Sequence, residues 1–259
     1  MRAAVSLGLA GTTDVSLLRA LAPRLERLGF RALWLNDVPR GDALAGLRAV
    51  AETTSRLGLA TGVIPLDRRP ADTLDLAGLA VDRLVLGVGS GGARHPVALV
   101  REGIATLRER TDAPIVVGAL GPRMRRLAAT DGDGAVLTWL TAPAAAAAAR
   151  ELQADAAASA RPAAQHPVRA VLYARTAVDD AARSELEAEA ARYASYPNYA
   201  ANFARLGIRA IDATVTDPPG LHDLDVVDEV VLRAITPNGT LAELEAFAER
   251  AATWVAGGE

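Results

Sequence analysis

Three apolar runs of the sequence end in residues that could hold a flat ring or an anion. They are DRLVLGVGSGG (82–92), APIVVGALGPRM (113–124) and DGAVLTWLTAP (133–143). Glycine allows a ligand to approach the backbone closely, so Gly87, Gly89 and the following Ser90 are candidate binding positions. Helical patterns separate the runs, which predicts parallel strands. The ends of all three runs should therefore lie at the same edge of a sheet.

The loop after the second run is a candidate phosphate site. It comprises Gly118, Ala119, Leu120, Gly121, Pro122 and Arg123. Pro122 fits the first position of a helix, where its missing N–H is not needed. Free backbone N–H groups and the helix dipole favour a phosphate at such a position, and Arg123, Arg125 and Arg126 add positive charge. The alternative is a tight turn with solvated arginines. In a barrel, we favour phosphate binding.

Gly87, Gly89 and Gly92 also match the G-x-G-x-x-G pattern of dinucleotide sites. In those sites the helix begins at the glycines and an acidic residue ends the next strand. Here residues 94–96 separate the glycines from the helix, and the next strand ends in Gly118. We therefore do not adopt the dinucleotide interpretation.

Composition excludes several kinds of chemistry. The chain has a net charge of -3, which gives no electrostatic footprint for nucleic acid. It has no cysteine, and all 28 basic residues are arginine, which excludes a Schiff-base lysine, a Walker A loop and a thiolate nucleophile. No metal site is predicted. No apolar run reaches the roughly 18 residues that a membrane helix needs, so we expect a soluble, cytoplasmic protein.

Repeated strand-helix units predict an α/β protein with eight strands. The predicted strands are 3–9, 32–37, 59–66, the three runs above, 168–176 and 229–235. Helices are expected between them, including one capped by Asp42, one after Pro70 through Leu79, and the last over 241–255. Eight strands in this length predict a single (β/α)8 TIM barrel over residues 1–259. An open doubly wound sheet is the alternative.

Six motifs, in order along nearly the whole chain, resemble the luciferase-like flavin- and deazaflavin-dependent oxidoreductases of bacteria. They are ALWLND, LATGVIPL, RLVLGVGSGG, VVGALGPRM, the pattern at 133–143 and DEVVLRAITPNGTLAEL. The resemblance implies a luciferase-like TIM barrel with an isoalloxazine-type ring at the carboxyl ends of the strands, usually in a homodimer. It also implies a cis peptide bond that is not before proline, here at Gly62–Val63. The chain is shorter than typical members, so we expect shortened insertions and an open, shallow pocket.

The resemblance implies a position for each candidate cofactor-binding residue. Asn36 and Asp37 would face the ring and its ribityl chain, although a helix cap or an ion pair with Arg40 is the rival interpretation of Asp37. Thr61, Gly62 and Val63 would form the bulge beneath the ring, with residues 87–90 at one side. The phosphate would bind at 118–123. Trp139 matches a family aromatic residue near the cofactor, with a core or interface tryptophan as its alternative.

The departures from the family are equally informative. Some members have a histidine after the strand-two aspartate, where this chain has Val38, and a glutamate after the strand-four glycines, which is absent here. A general acid or base of that kind is missing, so the catalytic residues are unknown. His95 is the candidate site histidine, while His166 and His222 are expected in solvated loops.

Three hypotheses about function follow. The GALGPRM and WLTAP motifs and the arginine-rich, alanine-rich composition favour the deazaflavin branch. The first hypothesis is therefore an enzyme that uses coenzyme F420 for hydride transfer to or from a small organic substrate. The second is an FMN-dependent luciferase-like monooxygenase. The third is a barrel that binds a cofactor without turnover or has only a structural role. A phosphate-handling isomerase is a weaker option, since few acidic or histidine side chains are expected at the strand ends.

Overall fold

The structure, a computed structural model, describes residues 1–159 and 166–257. Residues 160–165 and 258–259 of the predicted domain lie outside this description. The strands are β1 Ala4–Ala10, β2 Ala32–Asn36, β3 Gly58–Thr61, β4 Ile64–Pro65, β5 Leu84–Gly89, β6 Ile115–Gly118, β7 Gly134–Thr138, β8 Arg169–Thr176, β9 Thr214–Val215 and β10 Glu229–Ala234. The α-helices are α1 Val15–Arg27, α2 Ala43–Ala51, α3 Pro96–Arg108, α4 Pro122–Thr130, α5 Ala142–Ala158, α6 Arg183–Ala194, α7 Pro197–Leu206, α8 Pro218–His222 and α9 Leu241–Ala256.

The strands close into a parallel barrel. Its order is β10, β1, β2, β3, β5, β6, β7 and β8, and β8 pairs again with β10. The two short strands extend this wall: β4 pairs with β5, and β9 pairs with the end of β8. This closure confirms the predicted TIM barrel and rules out the open sheet. Every strand therefore has its carboxyl end at the same mouth.

Two apolar layers position that mouth. The larger core lies between the strands and the surrounding helices, where leucines of β1 and β2 pack against leucines of α1 and α2. A second cluster fills the barrel interior and includes Trp34, Val116, Tyr173 and Val231. Because side chains alternate along a strand, residues two positions beyond this cluster face the opening.

A buried carboxylate organises the amino-terminal end of the interior. Glu229 is 2% exposed. Its Oε1 accepts hydrogen bonds from Ser6 Oγ at 2.5 Å and Trp34 Nε1 at 2.7 Å, and its Oε2 accepts one from the Arg169 guanidinium at 2.7 Å. The carboxylate is thus paired and hydrogen-bonded, which offsets the cost of burying it inside the barrel.

One predicted helix is wrong. The residues from Pro70 to Leu79 form a 3₁₀ turn, Ala71–Thr73, followed by irregular chain. Their carbonyl groups are bonded by arginines instead of helical N–H groups: the Arg48 guanidinium donates to Asp75 and Ala77, and that of Arg110 donates to Ala71 and Leu74.

The other predicted helices are present, and Asp42 caps α2 as expected by accepting hydrogen bonds from Leu44 N and Ala45 N. Of the two histidines expected in solvated loops, His166 lies in a loop, whereas His222 is the last residue of α8. His166 and His222 are half-buried, and their ring nitrogens contact the carbonyl oxygens of Asp112 and Trp254 at 3.0 and 2.8 Å. No helix among the described residues is long and apolar enough to cross a membrane.

Candidate functional site

A β-bulge interrupts the barrel wall between β3 and β4. Ala60 pairs with Val85 and Ile64 pairs with Val88, so three residues on one side oppose two on the other. The peptide bond Gly62–Val63 within the bulge is cis, which confirms the expectation from the family resemblance. The Thr61 hydroxyl is buried. It accepts a hydrogen bond from Gly87 N and donates one to Gly87 O, both at 2.8 Å. Thr61 therefore closes the gap in the wall.

Val63 and three glycines form an apolar surface inside the mouth. A Cβ atom at Gly89 would lie 2.8 Å from the Val63 side chain, and one at Gly118 would lie 3.2 Å from it. A Cβ at Gly87 would lie 1.9 Å from the carbonyl oxygen of Thr61. The absence of side chains at these positions thus makes room for the bulge and leaves half-buried Val63 as a low floor. We call the ends of β3 to β6, with this floor, the glycine half of the mouth.

Asn36 and Asp37 have different surroundings at the end of β2. The side-chain oxygen of Asn36 lies beside Gly62, is enclosed, and accepts no hydrogen bond from the described residues. Asp37 is buried and its carboxylate pairs with the Arg69 guanidinium, which also bonds Asp42 at 3.1 Å. The ion pair that we considered for Asp37 therefore exists, but its partner is Arg69 instead of Arg40. Asn36 is the residue of the two with a free acceptor at the floor.

The loop 118–123 leads from the floor to an open helix start. Gly121 is the N-cap residue of α4, and no side chain caps it. A Cβ at Gly121 would meet nothing within 4 Å. Ala119 is buried, whereas Pro122 and Arg123 are exposed. The expected contribution of Arg125 is wrong: its side chain is buried and bonds Glu151 of α5 at 2.6 Å.

A groove of about 670 Å³ joins this helix start to that of α3. The α3 helix begins at Pro96 after His95, and it also has no side-chain cap. The groove is lined by residues of both starts, among them His95, Gly121 and Arg123, and by Arg94 and Arg101. Ser90 lies in the preceding turn, which Asp67 holds by accepting a hydrogen bond from Gly92 N at 2.8 Å. Two helix N-termini and the side chains of Arg94 and Arg123 make the groove suited to anions, whereas Arg101 is paired with Asp131 at 3.2 Å.

The opposite side of the mouth is filled by an arginine and aromatic rings. Arg175 of β8 is 3% exposed. Its guanidinium carbon lies 4.3 Å from the Trp139 ring and 4.5 Å from the Tyr193 ring. It also bonds Glu189 at 3.1 Å and the Thr138 hydroxyl at 2.5 Å. Trp139 is 1% exposed, and its ring also packs edge-on against Phe203. Trp139 therefore has the surroundings of a core tryptophan, which was the alternative interpretation of this residue.

Arg233 of β10 lies beside Arg175, at the same level of the barrel. We call the ends of β7, β8 and β10 the arginine half of the mouth. Just below the two arginines, the Tyr173 hydroxyl is enclosed and has no hydrogen-bond partner among the described residues. Burial raises the pKa of Tyr173, although the charges of Arg233 and Arg175 oppose that shift. Its hydroxyl is therefore protonated at neutral pH.

The structure brings most of the predicted residues together. Asn36, Gly62, Val63, Gly87, Gly89 and Gly118 surround the floor, and residues 119–123 continue from it along the rim. Thr61 and Asp37 are engaged with neighbouring protein groups, and Trp139 lies in the arginine half. Sequence reasoning missed Arg175 and Arg233. The available signal was a charged residue near the end of each of two apolar strands, at inward positions.

Comparisons with known proteins agree with this geometry. A family model described as luciferase-like monooxygenase matches residues 3–112 and 98–253. No curated protein matches the chain.

Several solved structures share the fold at low sequence identity. The coenzyme F420 dependent tetrahydromethanopterin reductase from Methanopyrus kandleri has a TM-score of 0.71 at 15% identity, with 99% of each chain covered. An F420-dependent secondary alcohol dehydrogenase has a TM-score of 0.70 at 13% identity, covering 95% of this chain and 98% of that one. The oxygenating constituent of 3,6-diketocamphane monooxygenase from Pseudomonas putida, in complex with FMN, has a TM-score of 0.68 at 12% identity, covering 98% and 99%.

The barrel, its cis bond at the predicted position and the family match over nearly the full sequence lead to one conclusion. This chain belongs to the luciferase-like monooxygenase family.

Proposed function

We propose that this chain is an oxidoreductase that uses coenzyme F420 for hydride transfer to or from a small organic substrate. The observation that carries the proposal is that the loop 118–123 connects the floor of the glycine half with the groove between α3 and α4. A flat ring fits a floor made by Val63 and flanking glycines, because no side chain longer than valine rises from those positions. The enclosed acceptor oxygen of Asn36 lies beside the same floor and would accept a hydrogen bond from the ring.

The groove would bind the phosphate and the tail of the cofactor. The uncapped start of α4 at Gly121 would hold a phosphate, since its N–H groups are free and no atom occupies the space beside Gly121. The groove then continues to the start of α3, which has no side-chain cap and lies near Arg94. FMN ends in a single phosphate, whereas F420 continues beyond its phosphate into a tail with carboxylates. The second helix start therefore favours the deazaflavin.

The bound deazaflavin would supply a hydride donor or acceptor that does not activate oxygen. The contribution of the chain is then orientation. The floor fixes one face of the ring, and the aromatic rings packed around Arg175 limit where a substrate can lie. Val38 occupies the position where some relatives have a histidine, so we assign no general acid or base. We also infer a homodimer from the family resemblance, which size-exclusion chromatography with light scattering would test.

An FMN-dependent monooxygenase is the second candidate. It is favoured by the description of the matching family and by the FMN bound to one of the similar structures. The floor and the phosphate position suit both ring systems, so the choice between them depends on the groove.

Titration of the purified chain with F420 and with FMN, in separate experiments, tests the proposal. We expect F420 to change its absorption spectrum on binding and to raise the melting temperature of the protein. Gly121→Asp should weaken F420 binding at least about tenfold, because it places a carboxylate at the phosphate position. Gly121→Ala is the matched control and should bind nearly normally. Binding of FMN alone would replace the first function with the second, and binding of neither would leave a barrel without a cofactor.

A further inference from the structure

At its edge, the arginine half places two arginines beside a glycine of the neighbouring strand β1. Gly8 of β1 pairs in register with Arg233 of β10, and Arg233 pairs with Arg175 of β8. All three positions face the barrel interior, because they continue the inward alternation of Ser6, Val231 and Tyr173. The missing side chain at Gly8 makes room for the Tyr173 hydroxyl, which would lie 2.4 Å from a Cβ there.

The two arginines differ in the number of protein partners that their guanidinium groups have. Arg175 has an ion pair with Glu189, a hydrogen bond to Thr138 and contacts with the rings of Trp139 and Tyr193. Arg233 has no carboxylate partner among the described residues. One guanidinium nitrogen of Arg233 donates to the main-chain oxygen of Ala234, and its remaining donors have no protein acceptor in that part of the chain. A half-buried guanidinium with free donors is suited to an anion.

Arg233 lies on the wall of a separate cavity of about 420 Å³. Apolar side chains, including Leu9, Ala10 and Ile235, form part of the wall, and Thr13 and Thr236 add hydroxyl groups. The facing wall, from α6, contains Glu185, Glu189 and Arg192. The Glu189 carboxylate is already bonded to Arg175 and Arg192, so it does not neutralise Arg233.

The Tyr173 hydroxyl supplies a second observation, one inward position below Arg175 and Arg233. Tyr173 is 2% exposed, and its oxygen has no hydrogen-bond partner among the described residues. An enclosed, unpaired hydroxyl costs free energy unless a ligand or a water molecule satisfies it. The Tyr173 hydroxyl is therefore an unused donor beneath the two arginines.

We propose that this cavity recognises a carboxylate, with Arg233 as the anion-binding residue, and that the substrate of the enzyme is an organic monoanion. The planar guanidinium matches a carboxylate through two parallel hydrogen bonds. A dianionic phosphate is disfavoured by Glu185 and Glu189 on the facing wall. The apolar side chains next to Arg233 suit a hydrophobic group attached to the carboxylate. Calling the anion a substrate rests on the proposed function, whereas its binding does not.

The test uses benzoate as the probe and benzamide as its neutral counterpart, in ligand-observed NMR titrations of the full chain without cofactor. We expect benzoate to bind with a dissociation constant on the order of 1 mM, at least about tenfold more tightly than benzamide. Arg233→Gln should abolish this preference, and Arg233→Lys should restore part of it. Arg27→Gln is the control, because it removes an exposed arginine in the last turn of α1, at the opposite end of the barrel. It should leave both affinities unchanged.

Several results would overturn this inference. They are equal binding of benzoate and benzamide, no binding of benzoate at 20-fold above the expected constant, and a benzoate preference that survives Arg233→Gln. Tighter binding of phenyl phosphate than of benzoate would overturn the assignment to a monoanion. The first comparison needs no variant, so it stands even where a substitution prevents folding. The F420 titration tests the proposed function independently. If the chain prefers the carboxylate but binds no cofactor, the proposed function is wrong and the anion site still stands.

Discussion

In the glycine half of the mouth, the inward positions near the ends of β5 and β6 are Gly87, Gly89 and Gly118, whereas β8 and β10 carry arginines at Arg175 and Arg233. The two halves are built from the same strand-helix unit. In one, missing side chains accommodate a bulge and leave a low apolar floor. In the other, long side chains and the aromatic rings beneath α6 and α7 fill the space.

The comparison indicates a division of work within a single barrel mouth. A flat ring needs contact area and little else, which the floor around Val63 offers. A polar substrate group needs a charge fixed in position, which the arginine half offers. The floor carries no charged side chain, and the inward positions at the ends of β8 and β10 carry no glycine. The ring and the charged group of a substrate would therefore bind on different sides of the mouth.

The largest expected effect concerns the glycine half. Gly87→Ala would place a Cβ 1.9 Å from the carbonyl oxygen of Thr61, and that backbone atom cannot move without displacing the bulge. We expect the free energy of unfolding to fall by about 3 kcal/mol in urea denaturation. Gly121→Ala is the matched control, since nothing lies within 4 Å of its Cβ, and it should change stability by less than about 0.5 kcal/mol. Similar losses for both variants would contradict a packing role specific to the floor.

The next effect concerns the arginine half. Arg175→Met should lower the free energy of unfolding by about 2 kcal/mol, because it leaves Glu189 with a single cation and removes the contacts with Trp139 and Tyr193. The near-ultraviolet circular dichroism of the aromatic cluster should change as well. Arg192→Met removes the other partner of Glu189. The Arg192 side chain is largely exposed, so this variant should cost less than about 0.5 kcal/mol. Equal costs would show that the burial of Arg175 contributes nothing.

A smaller effect tests the closure of the wall next to the floor. Thr61→Val keeps the shape of the side chain but leaves Gly87 N and Gly87 O without their partner. We expect a loss of about 1.5 kcal/mol in urea denaturation. Thr61→Ser retains the hydroxyl and should recover most of the stability. If the serine variant is no better than the valine variant, the hydrogen bonds do not support the bulge.

The smallest expected effect is a loss of stability at low pH. At the rim of the glycine half, burial opposes ionisation of Asp42, but hydrogen bonds from Ala45 N and Leu44 N and the charge of Arg69 outweigh it and lower the pKa of its carboxyl group. The stability that this charge provides is therefore complete above the ordinary value of 3.8 and is lost as the pH falls through the lower folded value. Asp42→Ala should cost about 1 kcal/mol at pH 7, or about 2–4 °C in melting temperature, and this difference should shrink below pH 3.8.

Asp42→Asn keeps a cap without a charge, so it serves as the control for that measurement. Its melting temperature relative to Asp42→Ala should not depend on pH between 6 and 3. A difference between the unmodified chain and Asp42→Ala that stays constant over this range would contradict an ionised cap at the rim.

Sequence reasoning predicted the barrel because strand periodicity and glycine stops are local signals, and it placed the cis bond through the family motif at Gly62–Val63. It failed for the segment from Pro70 to Leu79, where Arg48 and Arg110 bond the carbonyl groups from distant positions in the sequence. Such bonds depend on which helices become neighbours, and no local pattern shows that.

For the candidate site, too, the sequence predicted some of the residues and missed others. The glycines and the loop 118–123 were found because small residues after an apolar run are visible in the sequence. The partner of Asp37 was not, since Arg69 is brought to it by the turn after β4. Trp139 leaves β7 in the left-handed region, with φ of 55°, so strand alternation does not predict where its ring points.

The short strand β9 has a consequence for how molecules reach the barrel. It pairs with Arg175 and Thr176 at the end of β8, on the side where β7 has already ended, and so raises the wall there. The opposite wall stops at Gly89 and Gly118. A ligand that enters over the lower wall would reach the groove between α3 and α4 on that side, and a long anionic tail would extend along this groove.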